Sequence, residues 1–285
     1  MIAITGANGQ LGRLVLKHLS RQNTPALRAL VRSPEKAADL ASTTVSIVHA
    51  DYNAPETLAA ALQGVDRLLL ISGSEVGSRT RQHGNIIEAA KRAGVSFIVY
   101  TSLLNAGRSK MILAAEHVET EALLKASGIA HAILRNGWYL ENYSGAVAAA
   151  LAQGAVAGAS GEGRISAASR QDYAEAAASV LTGQDTSTRV FELGGSGFTA
   201  AELAAEVSRQ AGRTIAFRNM EQSAYAAALT AAGLPGGIAN ALADADAAAA
   251  HGALETSSDD LEQLIGHPPL PLAAFVQSAL SQSAA

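Results

Sequence analysis

Three glycines stand at the spacing GxxGxxG in the segment Gly6-Ala7-Asn8-Gly9-Gln10-Leu11-Gly12. The apolar run Ile2-Ala3-Ile4-Thr5 precedes them, and Leu11, Leu14, Val15 and Leu19 follow at helical spacing. Glycines in that position permit a tight strand-to-helix turn. They also let the main chain approach a pyrophosphate, whose charge suits the helix N-terminus. The motif is a variant of the dinucleotide fingerprint and marks a nucleotide site; a glycine-rich structural turn is the alternative. Arg32 ends the second apolar run, 20 residues after Gly12, and no acid occurs until Glu35. An acidic side chain at this place holds a ribose 2′-hydroxyl, whereas an arginine fork suits a 2′-phosphate. The residues therefore favour NADP(H) over NAD, the alternative being a solvated arginine at a strand end. Asp51, closing the third run, is placed to accept from an adenine amino group or to form a turn.

Other chemistries are excluded or weakened. The chain of 285 residues has no cysteine, which removes disulfides, thiolate nucleophiles, iron–sulfur ligation and cysteine zinc sites. Its seven histidines lie apart, with no pair at ligand spacing, so no metal site is expected. Glu119 and Glu121, two apart on a helix, face different directions and form no acid/base dyad. A net charge of −4 argues against a nucleic-acid partner. The chain begins as a strand rather than a signal peptide, and no apolar run approaches about 18 residues. A cytoplasmic protein without membrane segments is expected.

The elements that position these residues alternate regularly. Strands are expected at 2–5, 27–31, 45–48, 67–72, 97–101 and 130–134. An amphipathic stretch over 34–40 and helices over 79–93 and 112–127 separate them, and Asn53 is expected to cap a helix entered at Pro55. Strands so uniformly apolar belong in a parallel sheet covered on both faces. The expected fold is α/β, a Rossmann-type doubly wound parallel sheet over residues 1–136. A smaller, mostly helical C-terminal lobe then spans 137–285, with the strand near 190 a candidate for return to the main sheet. The Ala/Asp-rich stretch at 240–260 shows no role.

Several segments resemble one family. The glycine loop, Arg32, Ser72-Gly73-Ser74-Glu75-Val76-Gly77, Tyr100-Thr101-Ser102-Leu103-Leu104 and Leu134-Arg135-Asn136-Gly137-Trp138-Tyr139 are similar to the NmrA-like atypical short-chain dehydrogenases/reductases. Within that family they look most like the bacterial short-chain NADPH:quinone oxidoreductases. The sister group of triphenylmethane dye reductases shares the glycine loop and the Leu-Arg-Asn element. The resemblance implies that the loop holds the pyrophosphate of NADPH and Arg32 its 2′-phosphate. Ser72 and Gly73 would pass beside ribose and pyrophosphate, and Asn136 to Tyr139 would flank the nicotinamide. Arg170 resembles a recurring element near the cofactor cleft, the alternative being a helix-start charge paired with Asp172.

Ordinary family members carry Tyr-x-x-x-Lys with a Glu four residues beyond the Lys. Anchoring that Glu on Glu121 puts His117 at the Lys position and Leu113 at the Tyr position, so the proton-donating phenol is missing. Reduction of a carbonyl to an alcohol requires that proton, whereas a quinone yields a phenolate that water can protonate later. His117 and Tyr139 are the candidate catalytic residues; for His117 the alternative is a helix-surface histidine. Ser74, Trp138, Asn142 and Tyr143 are candidates to hold a small planar quinone, or, for the aromatics, to pack the lobe. The implied activity is hydride transfer from NADPH to a quinone. A dinucleotide-binding redox sensor without turnover and a dye reductase are the alternatives. Monomer and homodimer both stay open.

Overall fold

A computed structural model describes residues 1–24 and 26–283. The first half alternates as β1 (Ile2–Ile4), α1 (Gln10–Arg21), β2 (Leu27–Val31), β3 (Val45–His49), α2 (Pro55–Ala61), β4 (Arg67–Leu70), α3 (Arg79–Ala93), β5 (Phe97–Leu103), α4 (Ile112–Ser127) and β6 (Ala130–Asn136). The second half contributes α5 (Ser144–Gln153), β7 (Ala155–Gly158), α6 (Arg170–Thr182), β8 (Arg189–Leu193), α7 (Ala200–Ala211), β9 (Ala216–Asn219), α8 (Gln222–Ala231), α9 (Gly236–Ala249), α10 (Asp260–Ile265) and α11 (Leu272–Ser283).

The main sheet runs β3-β2-β1-β4-β5-β6-β8, and the strand at 189–193 therefore does return to it. Pairings β1–β2, β1–β4, β2–β3, β4–β5 and β5–β6 are parallel. The order reverses between β1 and β4, the switch point at which doubly wound sheets open a ligand crevice. Alternate side chains divide between two layers. Leu68, Leu70, Ile98 and Tyr100 pack with Leu58 of α2 and Leu62 just beyond it, Ile86 and Ile87 of α3, and Leu124 of α4. On the other layer α1 and α6 pack together, with α6 also against β4, β5 and β6. The alanines at 174 and 176–178 of α6 are wholly buried, and small side chains of this kind let helix and sheet approach closely.

Two compact units result. One holds Met1–Leu103, Glu116–Asn136 and Arg170–Phe191; the other holds Leu104–Ala115, Gly137–Ser169 and Glu192–Ala285. The chain passes between them at 136/137, but 104–115 and 170–191 fall in the opposite unit from that given by a single cut. The second unit is not purely helical: β7 and β9 form a two-stranded parallel sheet. Their sequences, Ala-Val-Ala-Gly and Ala-Phe-Arg-Asn, carry little of the β-branched alternation that signals a strand. The Ala/Asp-rich stretch acquires a role in this unit. Asp244 Oδ2 accepts the main-chain N–H of Ile112 at 2.8 Å, where α4 begins. Asp246 accepts that of Ala159, and burial raises its pKa.

Two local expectations are corrected. The helix cap before Pro55 is Ala54, without a side-chain bond; Asn53 Oδ1 instead accepts from Arg81 Nη2 at 2.9 Å. The strand expected to run to Ser72 stops at Leu70. Beyond it the N–H of Ile71 donates to Thr5 Oγ1 (3.0 Å) and that of Ser72 to Thr101 Oγ1 (2.9 Å). Two hydroxyls thus take over from the ladder and turn the chain into the crevice edge.

Candidate functional site

A cavity of about 450 Å³ opens at the switch point, lined by the glycine loop, the ends of β2 and β3, and the β4–α3 segment. Of the expected residues, Gly6, Ala7, Asn8, Gly9, Arg32, Asp51, Ser72, Gly73 and Ser74 line it together. Gln10 and Leu11 begin α1 behind the loop, with Leu11 buried. Gly6 has φ +58°, and a Cβ on Gly12 would lie 2.5 Å from the Gly6 carbonyl oxygen and 2.7 Å from Ala7 Cα. The loop and α1 can approach this closely only because residue 12 has no side chain. The first turn of α1 carries no acid, so its N-terminal amides keep their positive end for an anion.

Arg13, which sequence reasoning did not single out, secures the loop. Its Nε and Nη2 donate to Asn8 Oδ1 at 3.1 and 2.5 Å, and its Nη1 donates to Asp39 Oδ2 at 2.5 Å. That carboxylate is held below its usual pKa by the hydrogen bond from Arg13.

Arg32 lies at the mouth of the cavity with its side chain 66% exposed, and its Nη1 donates to Glu75 Oε1 at 2.9 Å. Lys36, also missed, lines the same space from the 3-10 turn Pro34–Leu40. Its signal was its position four residues after Arg32. Asp51 realises its turn reading while lining the cavity: its Oδ1 accepts the Asn53 N–H at 2.8 Å.

The β4–α3 segment is fixed from beneath. The Gly73 N–H donates to His83 Nε2 at 3.0 Å, and its carbonyl accepts from Arg79 Nε at 2.8 Å. Glu116 Oε1 accepts the N–H groups of Gly77 (3.1 Å) and Arg79 (3.0 Å), while its Oε2 pairs with Arg79 Nη1 at 3.3 Å. Burial, with the charge of Arg79, lowers the pKa of His83 to about 3.

His117 is not a surface residue. It is 6% exposed, and its Nδ1 lies 2.7 Å from the Tyr100 hydroxyl. Burial first, then Arg79 and His83, lowers its pKa to about 3, while burial raises that of Tyr100. Glu121 accepts from Ser102 Oγ at 2.6 Å and takes Arg135 in a two-point pair, Nε at 2.9 Å and Nη2 at 2.7 Å. The Leu-Arg-Asn element thereby ties β5, α4 and β6 together. Asn136 ends β6 at 4% exposure, and its Oδ1 has no hydrogen-bond partner.

The remaining expected residues lie elsewhere. Arg170 starts α6, half-buried, with Asp172 buried in the same turn. In the second unit, the Gly137 N–H donates to the Leu193 carbonyl at 2.7 Å, and Trp138 and Tyr139 follow half-buried. Asn142 is exposed, and the Tyr143 ring stands edge-on to Phe198 at 5.6 Å.

The residues of the cavity suit a phosphorylated dinucleotide: a glycine-rich loop, a helix N-terminus free of acid, and two cations, Arg32 and Lys36, in the segment that follows β2. Comparison with known proteins agrees with that chemistry. The NAD(P)H-binding family profile matches residues 6–184. Quinone oxidoreductase 2 of Escherichia coli (strain K12) is 50% identical over 279 residues, 97% of each chain. The crystal structure of an Escherichia coli NADPH-dependent quinone oxidoreductase complexed with NADPH superimposes with TM-score 0.95 and 49% identity over 98% of this chain and 100% of that one. Triphenylmethane reductase of Citrobacter sp., complexed with NADP(H), gives TM-score 0.93 and 36% identity over 98% of this chain and 100% of that one. The chain belongs to the NAD(P)H-binding family, of NmrA-like type.

Proposed function

We propose that the chain is an NADPH-dependent reductase of quinones. The observation that carries this reading is 50% identity over 97% of each chain with a quinone oxidoreductase, and the placement of Arg32 and Lys36 in the cavity lining supports it. When bound, the dinucleotide supplies a hydride; a quinone takes up its two electrons and becomes, after protonation, a hydroquinone.

The chain's own residues bind, orient and exclude. The glycine loop and the N-terminus of α1 take the pyrophosphate, and Arg32 with Lys36 the 2′-phosphate. Asp51 meets the adenine, Ser72 and Gly73 flank the ribose, and Arg170, at the start of α6, adds a further contact to the cofactor. Asn136, whose buried amide oxygen lacks a partner, and Gly137 receive the nicotinamide. Leaving such a group unpaired costs about 1–3 kcal/mol, which gives it reason to meet a ligand donor. Ser74, Trp138, Tyr139, Asn142 and Tyr143 hold the planar acceptor. His117, neutral and bonded to Tyr100, acts as a positioning residue and not as a charged acid. The phenolate left by hydride transfer is a weak base that water protonates, so the missing tyrosine is no obstacle. A cytoplasmic site of action, as a monomer or homodimer, accompanies this reading.

Turnover of NADPH with benzoquinone and a methylated quinone, with NADH run alongside, tests it. NADPH-selective, quinone-dependent oxidation is expected. Tight binding without turnover would replace it with the sensor reading, and activity confined to triarylmethane cations with the dye-reductase reading that the Citrobacter relative favours.

A further inference from the structure

Arg32 and Glu75 both line the dinucleotide cavity, and the guanidinium donates to the carboxylate at 2.9 Å. Glu75 is not a freely swinging surface acid. Its second oxygen accepts from Gln82 Nε2 at 2.8 Å, and Gln82 is 2% exposed. The segment that carries it is anchored at Gly73 by His83 and Arg79, and at Gly77 by Glu116. Among the lining residues the cations are Arg32 and Lys36 and the acids are Asp51 and Glu75, so the formal charges cancel. An entering phosphate gains the Arg32 guanidinium only by displacing the Glu75 carboxylate from it.

We infer that Glu75 is a specificity-determining residue: its carboxylate occupies Arg32 in place of a 2′-phosphate. Binding of a 2′-phosphorylated dinucleotide is then an exchange of anions on Arg32, which a dinucleotide with a bare 2′-hydroxyl does not undergo. This rests on reading the cavity as an NADPH site. Glu75 tempers the affinity for the phosphorylated cofactor and leaves the other unaffected.

The test is calorimetric titration of the full chain and its Glu75→Gln variant with NADP⁺ and NAD⁺. Glutamine keeps an oxygen for Gln82 but gives up the charge. NADP⁺ binding should tighten about two- to fivefold at low salt, the range of an exposed ion pair, and less at high salt. NAD⁺ binding should not change, and the gain should shrink when Arg32→Gln is added. Weaker binding of both dinucleotides by Glu75→Gln would overturn the inference, since the pair would then be a strap over bound cofactor. An equal gain with and without Arg32 would overturn it in favour of diffuse charge. Selective NADP⁺ binding that Glu75→Gln leaves unmoved would overturn this inference alone. A wild-type chain that binds neither dinucleotide would overturn the functional reading with it.

Discussion

His83 Nε2 accepts the main-chain N–H of Gly73 at 3.0 Å, and so couples a buried imidazole to the wall of the cofactor cavity. A ring that accepts at Nε2 is neutral and carries its hydrogen on Nδ1. That hydrogen donates to Thr120 Oγ1 at 3.0 Å, and the threonine hydroxyl donates to the Glu116 carbonyl at 2.8 Å. In the unfolded chain the imidazole titrates near its ordinary 6.5, whereas in the fold its pKa is about 3. Between these values the unfolded state binds more protons, so the stability contribution is full above about 6.5 and is lost as pH falls toward about 3. Denaturant midpoints measured down this window should decline, and His83→Gln should flatten part of the slope. A profile unchanged by the substitution would show that His83 is not held neutral.

The Tyr100–His117 contact gives a second expectation. Tyr100→Phe leaves the imidazole Nδ1 without its partner and should cost about 1–3 kcal/mol of stability. Turnover should stay within a few fold, and the pH profile of kcat should show no histidine inflection near neutrality, because His117 does not protonate until about pH 3. A loss of about a hundredfold or more in kcat, the scale of general acid catalysis, would restore His117 or Tyr100 to the chemistry.

Gly12→Ala places a methyl 2.5 Å from the Gly6 carbonyl oxygen, against main chain that cannot give way locally. The loop must shift away from α1. A stability loss of about 1–3 kcal/mol is expected from such overpacking, together with weaker binding of NADPH and NADH alike. Thermal denaturation and a dinucleotide titration check both parts.

Arg32→Ala removes a charge-assisted donor and should weaken NADPH by about 1.5–3 kcal/mol while NADH barely changes. Equal losses for both dinucleotides would make Arg32 structural.

Much of the first unit is legible in the sequence because its signals are local. Ile2 to Gly12 spell strand, turn and helix within one stretch, and the glycines have few other uses. The strand ends were less legible, since Ile71 and Ser72 leave the ladder for hydroxyls of Thr5 and Thr101, which are distant in sequence. Tertiary contact also settled His117. Nothing on its own helix shows that Tyr100, from a neighbouring strand, covers it. Glu75 could be quoted as part of a motif, but only the fold sets it opposite Arg32. In the second unit alanine fills helices and strand β7 alike, so the composition distinguishes neither. Asp244 and Asp246 gain a purpose only from main-chain N–H groups at 112 and 159.

The place of α6 carries a consequence for how the protein is made. This helix packs on α1 and beneath three central strands, and Arg67 donates to the carbonyls of Leu181 and Gly183 at its end. It nevertheless follows β6 by more than thirty residues of the other unit. During synthesis the nascent chain thus presents six strands and the whole glycine loop with the apolar face of α1 still bare. The dinucleotide-binding unit cannot close until residue 191 has left the ribosome. A ribosome stalled once residue 136 has emerged should hold a sticky, chaperone-bound intermediate rather than a finished Rossmann domain.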